Sequence, residues 1–443
     1  MPADPTPSKT AKARELEKRA RNPLTRTITD GHAEVSYLEL FFDLVFVFAI
    51  TQLSHMMLAD LSPAGALRTA ILFFAVWWAW IYTTWVTNWL DPDHGVNRLA
   101  FGVVMGLSLL LGSAIPTAFG HGGATFVAAY LTVQIGRSLY ASYALDEWRG
   151  SGSTNLLRIA LWFALSAIAW LIGLLDDDLA WRAGWWAAAL AIEYAGPYAL
   201  FWVPRLGRST PEDWIIAGNH MAERCALFII IALGESLLIT GAIFAKTEHS
   251  AATTAAFVSA FVSTFAMWWV YFDLGARRGA EHIEHHPNPG LVGRQAYTYW
   301  HIPIVAGIIL LAVADEFALT HPLDPSHAPF VAVVAGGLAL FVGGNMSFKR
   351  ITSGNPWYPL SHSIGLGLTA AIAAWGLLLH PSHLALALAG AAVLIIVAAW
   401  EWVSFHGGWL ERMERRGWRV AGILRRRIER RRKRHEAKAK RSG

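Results

Sequence analysis

Twelve times along this chain of 443 residues an apolar block of about 20 residues recurs, the length of helix that crosses a hydrocarbon core roughly 30 Å thick. The blocks run over 36–60, 66–89, 98–119, 124–146, 155–175, 182–203, 211–243, 251–274, 296–318, 328–348, 360–379 and 383–405. Only 16% of residues are charged, where a soluble chain carries about a quarter, so a soluble globular fold is excluded. The expected fold is an all-α, polytopic transmembrane helical bundle of about 12 spans, with many of the 22 Trp near span ends as interfacial anchors.

An even number of spans places both termini on one side. Loops on that side carry Arg98, Arg149, Arg158, Arg205, Arg208, Arg277, Arg278, Arg294, Lys349 and Arg350. The other side has Arg68, Arg182 and Lys246 beside Asp176, Asp177 and Asp178, so basic residues number ten against three. Cytoplasmic loops carry the excess of Lys and Arg, which makes both termini cytoplasmic in a multi-pass protein of the cell membrane. The N-terminus stays polar and charged past residue 30, so no cleavable signal peptide is expected. A single cysteine, Cys225, leaves no internal disulfide and no cysteine metal cluster.

Residues 1–34 then read as a basic cytoplasmic extension, and residues 407–443 as a basic tail in which Leu410, Met413, Val420, Leu424 and Ile428 recur at helical spacing among arginines. That pattern suits a helix on anionic lipid head groups, or a topology signal alone. No folded module accompanies the charge, so nucleic acid is not an expected partner.

The second half echoes the first. FFAVWWAWIYTTW (Phe73–Trp85) matches STFAMWWVYFD (Ser263–Asp273), Glu193 in the sixth block answers Glu401 in the twelfth, and aligning Glu39 with Glu223 sets Thr51 against Glu235. Two parallel six-helix repeats follow, at 35–205 and 206–406, a plan common among transporters.

Ionisable residues inside spans are expensive and mark a functional interior by default. Ser36 and Glu39 have the spacing of a capping box. Asp43 lies about 6 Å deeper, beyond any capping role. In the seventh block, a helix expected to begin at Pro211, the trio His220, Glu223 and Arg224 lies within reach of one face. Glu235 needs a cation, a bound ion or a proton, and Arg137 of the fourth block is its candidate partner. His301 sits about a turn inside the ninth block. These eight residues form the expected ion or substrate pathway, with no catalytic residue and no cofactor. Asp273, Asp315 and Glu316 lie near span ends, where solvation is expected.

A cytoplasmic loop reads EHIEHHPNPG; His282, His285 and His286 match one histidine box of the membrane di-iron enzymes, whose other boxes have no counterpart on this side. No Walker or dinucleotide fingerprint occurs, which disfavours ATP-driven transport by this chain. Gly336, Gly337, Gly343 and Gly344 would permit close helix contacts, including those of a homo-oligomer.

VSYLELFFDLVFVFAITQLSH, HMAERCALFIIIALGESLL and YWHIPIVAGIILLAVADE together resemble the bacterial low-temperature-requirement A family over about residues 34–405. The resemblance implies an integral membrane protein associated with growth in the cold and assigns no catalytic residue. Its motif positions here are Glu39, Phe42, Asp43, His220, Glu223, Arg224, Gly234 and Glu235. Phe-Phe-Asp at 41–43 is also similar to the Phe-Ser-Asp signature of a potassium-channel family of two six-helix repeats, with Phe42 replacing the serine and no Asp at the matching place in the second half. The function that follows is a secondary transporter or channel-like protein for a small ion or polar solute. A non-catalytic scaffold or sensor, or a metal-dependent enzyme acting on lipid, are the alternatives.

Overall fold

The computed structural model describes residues 22–26, 33–146, 151–354, 356–405, 413–418, 422, 423 and 426. Most of the basic tail, with Leu410, Val420, Leu424 and Ile428, lies outside the described residues.

The helices, in order, are α1 (Tyr37–Ala59), α2 (Pro63–Trp89), α3 (Gly95–Ala114, prolonged by a 3-10 turn at Ile115–Thr117) and α4 (Gly123–Leu131, a π turn at Thr132–Gly136, then Arg137–Asp146). They continue with α5 (Ser151–Ile172), α6 (Leu179–Ala195), α7 (Gly218–Phe244) and α8 (Ala251–Val270, a π turn at Tyr271–Ala276, then Arg277–His285). Last come α9 (Pro289–Val292, a π segment at Gly293–Tyr299, then His301–Thr320), α10 (Ala328–Thr352), α11 (Leu360–Leu379) and α12 (His383–Phe405). Ten of these are long and apolar enough to cross a membrane; α4, which carries Arg137, and the 17-residue α6 are the others. The protein is a polytopic helical membrane bundle, with no strand among the described residues.

Local chemistry sets the ends. Ser36, Ser62, Asp178, Ser250, Asn288 and His327 each accept a backbone N–H in the first turn of α1, α2, α6, α8, α9 and α10. Prolines at the opening positions of α2, α9 and α10 lack a donor that would go unbonded there.

Three boundaries differ from the expected ones. The sixth block stops at Ala195, because the chain turns through Gly196 and Pro197 into left-handed residues at Leu200 (φ 53°), Phe201 (φ 46°) and Arg205 (φ 67°). The seventh breaks after a single 3-10 turn, Pro211–Trp214, and α7 starts at Gly218. A Cβ at Gly218 would lie 2.7 Å from the Ile283 carbonyl, so α8 presses on this point and leaves no room for a continuous rod. The histidine loop is helical as far as His285; α8 runs on through it until Pro287 and the Asn288 cap of α9.

The packing repeats. Helix α1 lies on α2 and α3, α3 on α4, α4 on α5, α5 on α6, and α6 returns to α2. Six helices later α7 lies on α8 and α9, α9 on α10, α10 on α11, α11 on α12, and α12 returns to α8. The halves meet along α1 and α7. Bonded pairs there, Ala33–Asn219, Glu39–His220, Asp43–Arg224 and Thr51–Glu235, keep a sequence separation between 181 and 186, so the two helices run parallel in one register.

Helix α2 is the axis of the bundle. From Ile71 to Leu90 nearly every side chain is buried, including Trp77, Trp78 and Trp80 at 1% exposure or less. These tryptophans anchor the core instead of a membrane interface. Trp78 stacks on Tyr194 at 3.8 Å, while Trp77 and Trp85 donate to the carbonyl and hydroxyl of Thr298 in the α9 π segment. Leu99, Leu165, Ile168 and Leu378 stay exposed, as leucines facing lipid do.

Candidate functional site

The paired helix starts of α1 and α7 bring four expected residues together with three that the sequence did not single out. The capping box is present: the Ser36 hydroxyl accepts from Glu39 N, and Glu39 Oε2 accepts from Ser36 N at 2.9 Å. A capping carboxylate has lone pairs to spare, and here they face α7. Glu39 Oε1 lies 2.8 Å from His220 Nε2 and 3.4 Å from Arg224 Nη1. Its Oε2 also takes Arg26 Nη2 at 2.8 Å.

The His220 tautomer follows from Asn88. That amide pairs both ways with the Ala217 backbone, Nδ2 donating to the carbonyl and Oδ1 accepting the N–H, which fixes its orientation. Asn88 Nδ2 therefore donates to His220 Nδ1 at 3.1 Å, leaving Nε2 to carry the proton toward Glu39. A neutral imidazole satisfies every contact. The local charges then balance, Glu39 and Asp43 against Arg26 and Arg224.

One turn deeper, Asp43 Oδ1 accepts from Arg224 Nη2 at 2.6 Å and from Trp80 Nε1 at 2.8 Å. Both Asp43 and Arg224 have no exposed surface. Asp43 Oδ2 and the Nε and Nη1 of Arg224 are buried without a hydrogen-bond partner among the described residues. Buried ionic groups left partly unsatisfied by protein partners are costly, and such sites demand a reason.

Other expected members lie elsewhere. Glu223 is exposed, because consecutive helical residues point about 100° apart and Arg224 takes the inward direction. Glu235 is half-buried and accepts from the Thr51 hydroxyl; it does not meet Arg137. Arg137 reaches Ala79 O and Thr83 Oγ1, each at 3.0 Å, and Gln134 Oε1 at 2.5 Å. From Gln134 the bonds pass to Tyr130 and then to Glu193, which also accepts from Ser166 and Trp170. His301 is fully buried between the Tyr271 hydroxyl at 2.7 Å and Ala296 O at 3.0 Å. Asp315, expected to be solvated, is 6% exposed.

The second half holds a counterpart of the Arg137 arrangement. Lys349, assigned to a loop by its sequence context, is buried near the end of α10, with Nζ 2.6 Å from Glu401 Oε2 and 2.6 Å from Val270 O. Val270 follows Trp268-Trp269 as Ala79 follows Trp77-Trp78. In each half a cation of the fourth helix therefore takes the matched carbonyl of the second and connects to a glutamate of the sixth, directly or through Gln134 and Tyr130.

The rings of His282 and His286 lie 5.2 Å apart, but His285 does not join them. His285 Nδ1 turns to the Glu281 carbonyl of its own helix and His286 Nδ1 accepts Asn288 N at 3.0 Å. Among the described residues no group of three His, Cys, Asp or Glu could hold a metal ion.

The model of the bacterial low temperature requirement A protein family matches residues 34–399, most of the chain and both walls of the α1–α7 seam. The chain belongs to that family. It is also 37% identical, over 84% of its own length and 90% of the other's, to an uncharacterized protein of Rhizobium meliloti (strain 1021). No solved structure matches it. In this family member Glu39, Asp43, His220 and Arg224 fall inside the matched segment, whereas Arg26 precedes it.

Sequence reasoning missed Arg26, Trp80 and Asn88. Arg26 sits in a run of charge that reads as solvated. Trp80 and Asn88 had one available signal, polar handles in a span too aromatic to face lipid on every side.

Proposed function

We propose that this protein is a secondary transporter or channel-like protein for a small ion or polar solute, with the α1–α7 seam as its path. The observation that carries the reading is Asp43, buried one turn inside a span with Oδ2 unpartnered, beside an Arg224 whose Nε has no hydrogen-bond partner and whose Nη1 makes only a 3.4 Å ion pair with Glu39. Groups in this condition suit a site that exchanges partners during a cycle, a proton or cation on Asp43 displacing Arg224. Further along the same seam comes the Thr51–Glu235 pair. Phe46 of α1 and Phe228 of α7 fall between the two polar stations along their helices, and the Trp80 and Phe228 rings are 4.1 Å apart. On this reading the aromatic packing closes the path.

The wider reading is of twelve crossings in two parallel six-helix halves, in the cell membrane, with cytoplasmic termini and a basic tail on anionic lipid. Support for the duplication comes from the repeated packing order, the parallel α1–α7 pairing and the matched seats of Arg137 and Lys349. The test is flux in proteoliposomes under potassium, sodium and proton gradients, for the wild type, Asp43→Asn and Glu235→Gln. Flux that falls at least tenfold in both variants, with folding intact, is the expected result. A wild type that moves none of these ions, with both variants altering only stability, would favour the scaffold or sensor reading.

A further inference from the structure

Residues 22–26 belong to the stretch expected to be a basic cytoplasmic extension, and they pack onto the bundle. Asn22 donates to Ala144 O at the end of α4, and the Leu24 carbonyl accepts from Asp91 N and from Asn97 Nδ2 of α3. Thr25 makes an antiparallel bridge with Leu90, and Arg26 N donates to Trp89 O at 2.9 Å. Asn22, Thr25 and Arg26 are 4%, 5% and 8% exposed. A five-residue segment with backbone partners on two helix ends and a turn is docked.

The docking has a direction. Arg26 extends from it to the Glu34 carbonyl and to Glu39, the carboxylate that also takes His220 at the start of α7. We infer that residues 22–26 are a strap that shuts the end of the α1–α7 seam, with the Arg26 guanidinium as a tethered cation on the Glu39 carboxylate that an entering species would meet first. The inference rests on the seam being a path. The strap lies just before the family-matched segment, residues 34–399. A tethered guanidinium neutralises Glu39 without a diffusible ion and keeps water from the charges behind it. Releasing it exposes a carboxylate and the opening turn of α7.

Two readouts on the full-length chain separate the strap from the transport reading. The first is ion flux in proteoliposomes for the wild type and Arg26→Gln. The second is hydrogen exchange of the backbone amides of Gly218, Asn219 and His220, which open α7 and have no intrahelical acceptor, so their exchange reports water entry. Arg26→Gln is expected to raise both at least tenfold. Asn97→Ala, which loosens the Leu24 anchor without touching Glu39, is expected to raise both by a smaller factor and serves if Arg26→Gln does not fold. Exchange that rises while no chain conducts would keep the strap as a cover over the α1–α7 helix starts and overturn ion conduction along the seam. Unchanged exchange in both variants, or a wild type conducting as fast as they do, overturns the strap.

Discussion

Arg224→Met is expected to destabilise the folded protein by about 3–5 kcal/mol, the usual cost of removing one partner from a buried ion pair. Arg224 has no exposed surface and stands 2.6 Å from Asp43 and 3.4 Å from Glu39. Without it Glu39 keeps Arg26, but Asp43 keeps only the Trp80 indole. A carboxylate in that condition must take up a proton or draw in water, and either opens the interface. The double variant Asp43→Asn/Arg224→Met removes both charges and is expected to recover at least about 2 kcal/mol, read as a coupling term in a double-mutant cycle. Arg224→Lys should recover less, since a point charge cannot span two carboxylates as the guanidinium fork does. The measurement is the unfolding midpoint in detergent. A single variant within about 1 kcal/mol of wild type would mean that the pair is already hydrated and that the seam is not a dry interior.

The bundle was legible because lipid leaves a chain few options: a block of about 20 apolar residues must be a helix, and its backbone must satisfy itself. Ends were less legible, since Ala195, Gly218 and the run to His285 are set by what neighbouring helices leave room for. The charge cluster was legible for the same reason as the helices. Asp43, His220 and Arg224 are too costly to leave facing lipid, so they had to face each other or water. Which of them meet was not legible. Spacing places Glu223 and Arg224 within one turn but does not say which direction points at α1, and nothing in α4 announces that Arg137 faces Ala79 of α2 and not Glu235. Arg26 was out of reach altogether. Its role depends on a fold-back that a charged, Pro-containing extension does not encode in any periodicity.

The same dependence on neighbours decides the glycines, where Gly307→Leu is expected to cost about 3 kcal/mol or more, at the upper end for overpacking a tight interface. A Cβ at Gly307 would lie 2.5 Å from Phe341 N and 2.8 Å from Gly337 O, so α9 and α10 touch backbone to backbone. From the α10 side, a Cβ at Gly337 would meet Leu311 Cγ at 2.9 Å and one at Gly344 would meet Ile304 N at 2.9 Å. The glycine pairs of α10 thus divide by face. Gly337 and Gly344 serve contact within the chain, while Gly336 and Gly343 have nothing nearer than 3.7 Å and 4.0 Å. Gly343→Ala is therefore the matched control, with an expected change within about 0.5 kcal/mol. The effect should reach the seam, because the π segment of α9 presents Thr298 to Trp77 and Trp85, and Trp77 lies 5.1 Å from Trp80, which holds Asp43. Pushing α9 off α10 should loosen that aromatic wall, so near-ultraviolet circular dichroism of the tryptophans should fall along with the unfolding midpoint. A Gly307→Leu protein with wild-type stability would show that the two helices can separate freely, and the coupling from α10 through the tryptophans to Asp43 would fall with it.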